Sequence, residues 1–312
     1  MAIIKTVCYE WRMPRSRLIP VLALLSAMLL WASSFIALKL AFRAYAPMFV
    51  IFGRMALAGV CFLFLIKRLT VNAFQRSDIR HLLFLAGCEP CLYFIFEAKA
   101  LQLTTASQAG MVTAMLPLMV GLSAHTLLKE HVRVKTYAGF LIAIGGVMLL
   151  SAGARPTQTS PNPVLGNFLE FLAMVCATGY SISMKHLSPR YSPLFITAFQ
   201  AFVGGIFFLP LVLADPGNLP RVFDPMSAAS IVYLGIFVTL GAYALYNFGV
   251  SRLPVSQAGA YVNLIPVFTV LLGWIILGER FTPIQYAAGA LVFVGVVLSQ
   301  DRQAVQELPG VQ

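Results

Sequence analysis

Residues 104–128 read TTASQAGMVTAMLPLMVGLSAHTLL, and residues 253–277 read LPVSQAGAYVNLIPVFTVLLGWIIL. Each stretch is apolar for long enough to cross a bilayer, which takes about 20 residues. Shifted by 149 residues (256 − 107), Ser107-Gln108-Ala109-Gly110 falls on Ser256-Gln257-Ala258-Gly259 and Pro117 on Pro266. The same shift carries Glu130 to Glu279, Tyr137-Ala138 to Tyr286-Ala287, and Gly146-Val147 to Gly295-Val296. A shift of 146 residues (193 − 47) carries Lys39 to Lys185, Pro47 to Pro193 and Phe49 to Phe195. The three-residue difference is a loop insertion. One unit is written twice.

Composition says where such a chain is stable. Of its 312 residues, 59% are apolar and 11% charged, against roughly 25% charged in soluble domains. A soluble fold would lack the polar exterior it needs; lipid supplies an apolar one. Hydropathy and turn residues predict spans near 18–38, 47–66, 80–100, 104–128 and 135–152, then 165–184, 193–213, 227–249, 256–277 and 283–300. The expected fold is an all-α membrane protein of ten transmembrane helices. A repeat of five spans ends on the side opposite its start, so the second copy enters inverted. The expected organisation is a tail at 1–17, a first repeat at 18–152, an external linker at 153–164, a second repeat at 165–300 and a tail at 301–312. The first apolar run is read as a span rather than a cleaved signal peptide, because the repeat needs it as partner of the sixth.

The net charge of +11 belongs to topology. Fifteen Lys and Arg fall in the tails and the even-numbered loops, whereas the odd-numbered loops hold only Arg43, Arg155, Arg221 and Arg280. That bias predicts a multi-pass protein of a bacterial-type inner membrane with both termini cytoplasmic. No basic-aromatic face suited to nucleic acid appears. The odd cysteine count argues against a disulfide framework. Cys88 and Cys91 have CxxC spacing but lie inside an apolar run, where small apolar packing is expected. His81, His125, His131 and His186 show no metal-ligand spacing; no metal and no cofactor is expected. Neither a phosphate-binding loop nor a hydrolase or metalloprotease motif is present, so an enzyme is not expected.

The ordered duplication of Ser-Gln-Ala-Gly, a mid-helix Pro, a terminal Glu, Tyr-Ala and Gly-Val resembles the drug/metabolite transporter superfamily, EamA-type. Trp31, Ser33, Ser34 and Arg54 resemble that family's first repeat, and the resemblance covers about residues 18–300. It implies a central cavity between two halves and export of amino acids, other metabolites or toxic compounds. The partners expected are a small-molecule substrate, the lipid bilayer and protons; the sequence carries no signal for an oligomeric state. The alternatives are an intramembrane enzyme, a channel, or a receptor without active transport.

Ionisable residues inside spans are costly, so they mark candidate sites. Glu89 and Glu97 in the third span are expected to share a broad face with Tyr93 and to act in substrate binding and ion coupling. Lys39, Arg54 and Lys99 are their candidate charge partners. Pro90 is expected to free a backbone carbonyl near Ala86. Val238 and Tyr246 occupy the aligned positions of the second copy, so the site is expected to be asymmetric. Trp31, Tyr243, Tyr246, Asn247 and Asn263 complete the candidate substrate contacts, and Pro117 and Pro266 are candidate hinges. Glu279 and Glu130 are read as helix caps or interfacial pairs.

Overall fold

A computed structural model describes residues 15–65, 67, 75–128, 134–250, 252 and 261–299. The second copy of Ser-Gln-Ala-Gly, Glu130, His131 and most of the two tails lie outside them. The first five spans are built from α1 (Arg15–Ala41), α2 (Pro47–Phe64), α3 (Asp78–Ala86), α4 (Tyr93–Leu103), α5 (Ala106–Val112), α6 (Met115–Leu128) and α7 (Val134–Ala152). Then follow α8 (Pro163–Leu187), α9 (Pro193–Leu213), α10 (Pro225–Tyr233), α11 (Tyr243–Val250), α12 (Leu264–Leu277) and α13 (Pro283–Ser299). The third span joins α3 to α4 and the eighth α10 to α11; the fourth is α5 and α6. Among the described residues, eight helices are long and apolar enough to cross a membrane, and Leu264–Leu277 and Pro283–Leu298 are shorter apolar helices. Phe64, Leu141, Met148 and Ile206 point outward and are exposed, the arrangement a lipid solvent favours.

Helix starts and breaks repeat between the copies. Pro47 and Pro193 each open a helix at its first turn, where a missing N–H costs nothing. The fourth span breaks at Thr113–Ala114, and Leu116 N donates to Thr113 O at 3.0 Å. In the ninth, Val262 and Asn263 form the turn, and Ile265 N donates to Val262 O at 3.0 Å. Pro117 and Pro266 explain both breaks. Each stands four residues beyond the carbonyl it leaves without an α-helical donor.

Packing exchanges in the same way. The first span packs on the eighth and ninth, and the sixth on the third and fourth; the second packs on the seventh and the fifth on the tenth. The crossing of α7 and α13 is reciprocal residue by residue. A methyl group on Gly146 would overlap Val292 and the Ala288 carbonyl, and one on Gly295 would overlap Ala143 and the Gly139 carbonyl. Subtracting 149 turns the first set into the second. Reciprocal contact of this kind is what a two-fold axis produces, and glycine permits the close approach of two helices in a membrane.

Candidate functional site

The third span breaks at Glu89. Its φ of −141° and ψ of 117° are extended within an otherwise helical run. The Glu89 carbonyl thereby leaves the helix and accepts a hydrogen bond from Gln200 Nε2 at 2.6 Å. The carbonyl that Gln200 reaches is Glu89's own. The eighth span departs from α-helical geometry at the corresponding depth, Leu234–Ala242, although it has no Glu-Pro pair.

Beside the break lies a cavity of about 20 Å³, lined by Arg54, Met55, Glu89, Pro90, Phe94, Thr197, Gln200, Ala201, Thr239 and Tyr243. That volume holds about one water molecule. Arg54 Nε donates to Thr239 Oγ1 at 3.0 Å, and its guanidinium lies 4.5 Å from the centre of the Phe94 ring. Tyr243 OH donates to Glu89 Oε1 at 3.2 Å. Arg54 attracts both Glu89 and Glu97.

The lining has an order that no single residue reveals. Arg54 plus 146 is Gln200, and Met55 becomes Ala201; Pro90 plus 149 is Thr239, and Phe94 becomes Tyr243. Four symmetry pairs therefore face one space, which puts the cavity on the axis relating the halves. Three of the pairs differ in polarity. A second cavity, of about 380 Å³, lies among the loops at Ala44–Ala46 and Gly217–Asp224 and includes none of these residues.

Glu97 faces elsewhere, because the break re-aims the helix between it and Glu89. Tyr93 OH donates to Glu97 Oε1 at 2.9 Å, while Glu97 Oε2 is buried without a hydrogen-bond partner. Glu170 of α8 is close enough to repel it. Glu170 is 0% exposed, and neither of its carboxyl oxygens has a partner. One turn earlier, Asn167 is satisfied on all sides. It accepts from Thr104 Oγ1 at 2.8 Å and donates to Gln108 Oε1 and Ser151 Oγ, both at 3.0 Å.

Of the three expected charge partners, only Arg54 stands by the carboxylates. Lys39 Nζ donates to Thr159 O at 2.9 Å and lies near Glu279; Lys99 is exposed, two residues and so about 200° around the helix from Glu97. Trp31 packs its ring against Tyr243 and Tyr246, at 5.4 and 5.2 Å between centroids, and lines no part of the cavity. Asn247 is half-buried and bonds to none of the others among the described residues. Asn263 is the half-buried turn residue before α12. Glu279 caps α5, accepting from Ala106 N at 2.9 Å and Ser107 N at 2.8 Å. Gln200, Thr197, Thr239 and Glu170 escaped the sequence reading. Arithmetic on Arg54 finds Gln200, and the cost of a carboxylate in an apolar run, already applied to Glu89, finds Glu170.

Spacing suggested no metal site, yet the fold brings Asp78, His81 and His186 together. Arg190 already neutralises Asp78, with bonds of 2.8 and 2.7 Å, and Tyr191 OH donates to it at 3.1 Å. The group ties the start of the third span to the turn before the seventh.

Family models were matched at residues 18–152 and again at 164–300, both by the EamA-like transporter family. The chain belongs to the EamA-like transporter family. It is similar to the uncharacterized transporter YetK of Bacillus subtilis (strain 168), at 30% identity over 285 residues, covering 89% of this chain and 85% of that protein. It is also similar, at 26% identity over 282 residues, to a probable terminal-alkyne amino-acid exporter of Streptantibioticus cattleyicolor, covering 90% of this chain and 93% of that one. A solved crystal structure shares the fold at a TM-score of 0.63 and 21% identity, covering 94% of this chain and 99% of its own. EamA-like transporters are membrane proteins that move small molecules and are not enzymes. Matching of one family to each half fits the reciprocal packing described above.

Proposed function

We propose that this protein is a secondary transporter that exports zwitterionic metabolites, amino acids or close relatives, by alternating access coupled to protons. The observation that carries the reading is the cavity on the symmetry axis, where Arg54 and Glu89 meet. A guanidinium and a carboxylate lining one cavity match the carboxylate and ammonium of an amino acid. The amino-acid exporter named among the relatives supports the same class. Each half of an inverted repeat can adopt the arrangement that the other vacates, which opens an axial cavity to either side in turn. Glu89, and Glu97 behind it, supply the exchangeable charge. Pro117 and Pro266 supply two related breaks about which the fourth and ninth spans bend.

Counterflow of labelled amino acids in proteoliposomes, followed by uptake under an imposed pH gradient, tests this. Wild type is expected to exchange and to accumulate. Glu89→Gln is expected to insert and fold, to exchange, and to lose accumulation. If Glu89→Gln accumulates as wild type does, with unchanged pH dependence, the coupling role is wrong. If wild type shows no saturable counterflow but does show ion conductance, the transporter reading itself gives way to a channel.

The proposal includes orientation in a bacterial inner membrane with both tails cytoplasmic, motivated by the placement of Lys and Arg. A phosphatase fused after residue 302 is expected to be silent. Periplasmic activity from that fusion would overturn it.

A further inference from the structure

We propose that Glu97 and Glu170 form an occluded site for one hard monovalent cation, a proton or Na⁺, between the third and sixth spans. Three of their four carboxyl oxygens, Glu97 Oε2 and both oxygens of Glu170, are buried with no hydrogen-bond partner. A buried polar atom left unpaired is costly and in native proteins is the exception. The surroundings offer no remedy. Val112, Ala173 and Met174 form the cluster there, with Phe96, Leu116, Met119, Val147 and Phe171 against it.

The symmetry mate rules out a packing requirement for charge. Subtracting 146 from Glu170 gives Leu24, adding 149 to Glu97 gives Tyr246, and Leu24 and Tyr246 pack together in a cluster with Val21 and Tyr261. The same helix crossing is thus closed elsewhere in this molecule by apolar groups. Replacing buried charged groups by well-packed apolar ones is often neutral or stabilising. Two carboxylates at this crossing therefore answer to a ligand.

Charge balance gives its sign. The titratable and charged groups facing the pair among the described residues are Tyr93 and Glu89 on the third span and Arg54 on the second; Asn167 and Gln108 nearby are neutral. Three carboxylates stand against one guanidinium. A cation bound by Glu170 and Glu97 Oε2 reduces the imbalance and supplies the partner those oxygens lack. A single proton needs no further ligand. Na⁺ needs oxygens beyond the three unpaired ones, and a divalent ion needs more still. The proton is therefore the expected occupant and Na⁺ the competing outcome of the test. The inference rests on the transport reading only for its use, as the site of a coupling ion.

The test uses purified full-length protein in nanodiscs and reads thermal unfolding. Na⁺ is titrated against choline at fixed pH, and pH is then titrated at fixed Na⁺. A cation held by the folded state and released on unfolding raises the midpoint, by about 2–4 °C per tenfold for a chain of this size. Wild type is expected to show that slope toward one of the two cations, and that titration identifies the source. Glu170→Gln and Glu97→Gln are expected to lose it. Glu170→Leu, which copies Leu24, is expected to fold and to lose it as well. Equal slopes in wild type and in these variants overturn the site. Should none of them fold, peptide mapping of carbodiimide adducts on wild type decides. Adducts on Glu97 or Glu170 that Na⁺ or high pH suppresses support the site; absent or indifferent adducts overturn it. Slopes that vanish in variants of a protein with no counterflow leave the site standing and remove only the transport reading.

Discussion

The crossing of α7 with α13 and the central cavity both lie between the two copies, and the two places treat the repeat in opposite ways. At the crossing the paired residues are the same: Gly146 and Gly295 each seat the other helix's backbone. At the cavity the pairs have diverged: Arg54 faces Gln200, Phe94 faces Tyr243, Pro90 faces Thr239, and Glu89 aligns with Val238. Close backbone approach tolerates one residue type, so both copies keep it. A cavity on an axis gains nothing from two identical charges at short range, because like charges repel. The scaffold is symmetric where helices must meet, and the chemistry is asymmetric where a ligand must bind.

The sharpest way to break the contrast is Arg54→Met. Two buried carboxyl groups, Glu89 and Glu97, would lose their guanidinium, at a cost of about 3–5 kcal/mol, whereas the matched change Gln200→Met removes only the bond to the Glu89 carbonyl and costs about 1–3 kcal/mol. Chemical denaturation of the two purified variants is expected to show the larger loss for Arg54. Equal losses would mean that the cavity pairs are interchangeable after all. At the crossing the opposite result is expected. Gly146→Val and Gly295→Val should each cost about 1–3 kcal/mol from overpacking, and the two costs should agree within about 0.5 kcal/mol. A smaller effect distinguishes the polar network from its apolar mate. Asn167→Ala leaves Thr104, Gln108 and Ser151 unsatisfied and is expected to cost about 1–2 kcal/mol; Val21→Ala, at the related position, should cost less.

The smallest effect lies outside the membrane. Asp224 accepts a bond from Ser227 N at 2.7 Å and begins the eighth span. Bonds from Ser227 hold its carboxyl below the usual range. A carboxyl lowered in the folded state stabilises at neutral pH, and that contribution fades as pH falls through the lowered value. Asp224→Asn should flatten the acid side of the stability profile slightly and leave the neutral side nearly unchanged.

Much of this was legible in the residues. Ten apolar segments and a duplicated Ser-Gln-Ala-Gly were enough for the fold, because span length and lipid leave few alternatives. The proline breaks were readable too, since a missing N–H acts locally. Facing partners were not. Helical spacing puts Glu89 and Glu97 on one broad face only while the helix is continuous, and the extended backbone at Glu89 sends them to different neighbours. Lys39 was a candidate partner of the two carboxylates, but position along a span does not give the angle around a bundle, and the carboxylate near it is Glu279. Asp78, His81 and His186 converge from two separate spans, which no local spacing encodes.

The exchange of partners between the halves also bears on synthesis. A chain leaves the ribosome from its N-terminus, and α1 is the first of these spans to be made. Its partners, α10, α11 and α12, are among the last. Most of the translation time passes before α1 meets the surfaces that bury Leu24, Ala27 and Met28. Until then its helical neighbours are α2, α4 and α5 of its own half, and lipid covers the rest. The sixth span has no such wait, because the third and fourth already stand in the bilayer when it arrives. Two copies of one unit therefore mature on different schedules, and the older one finishes last.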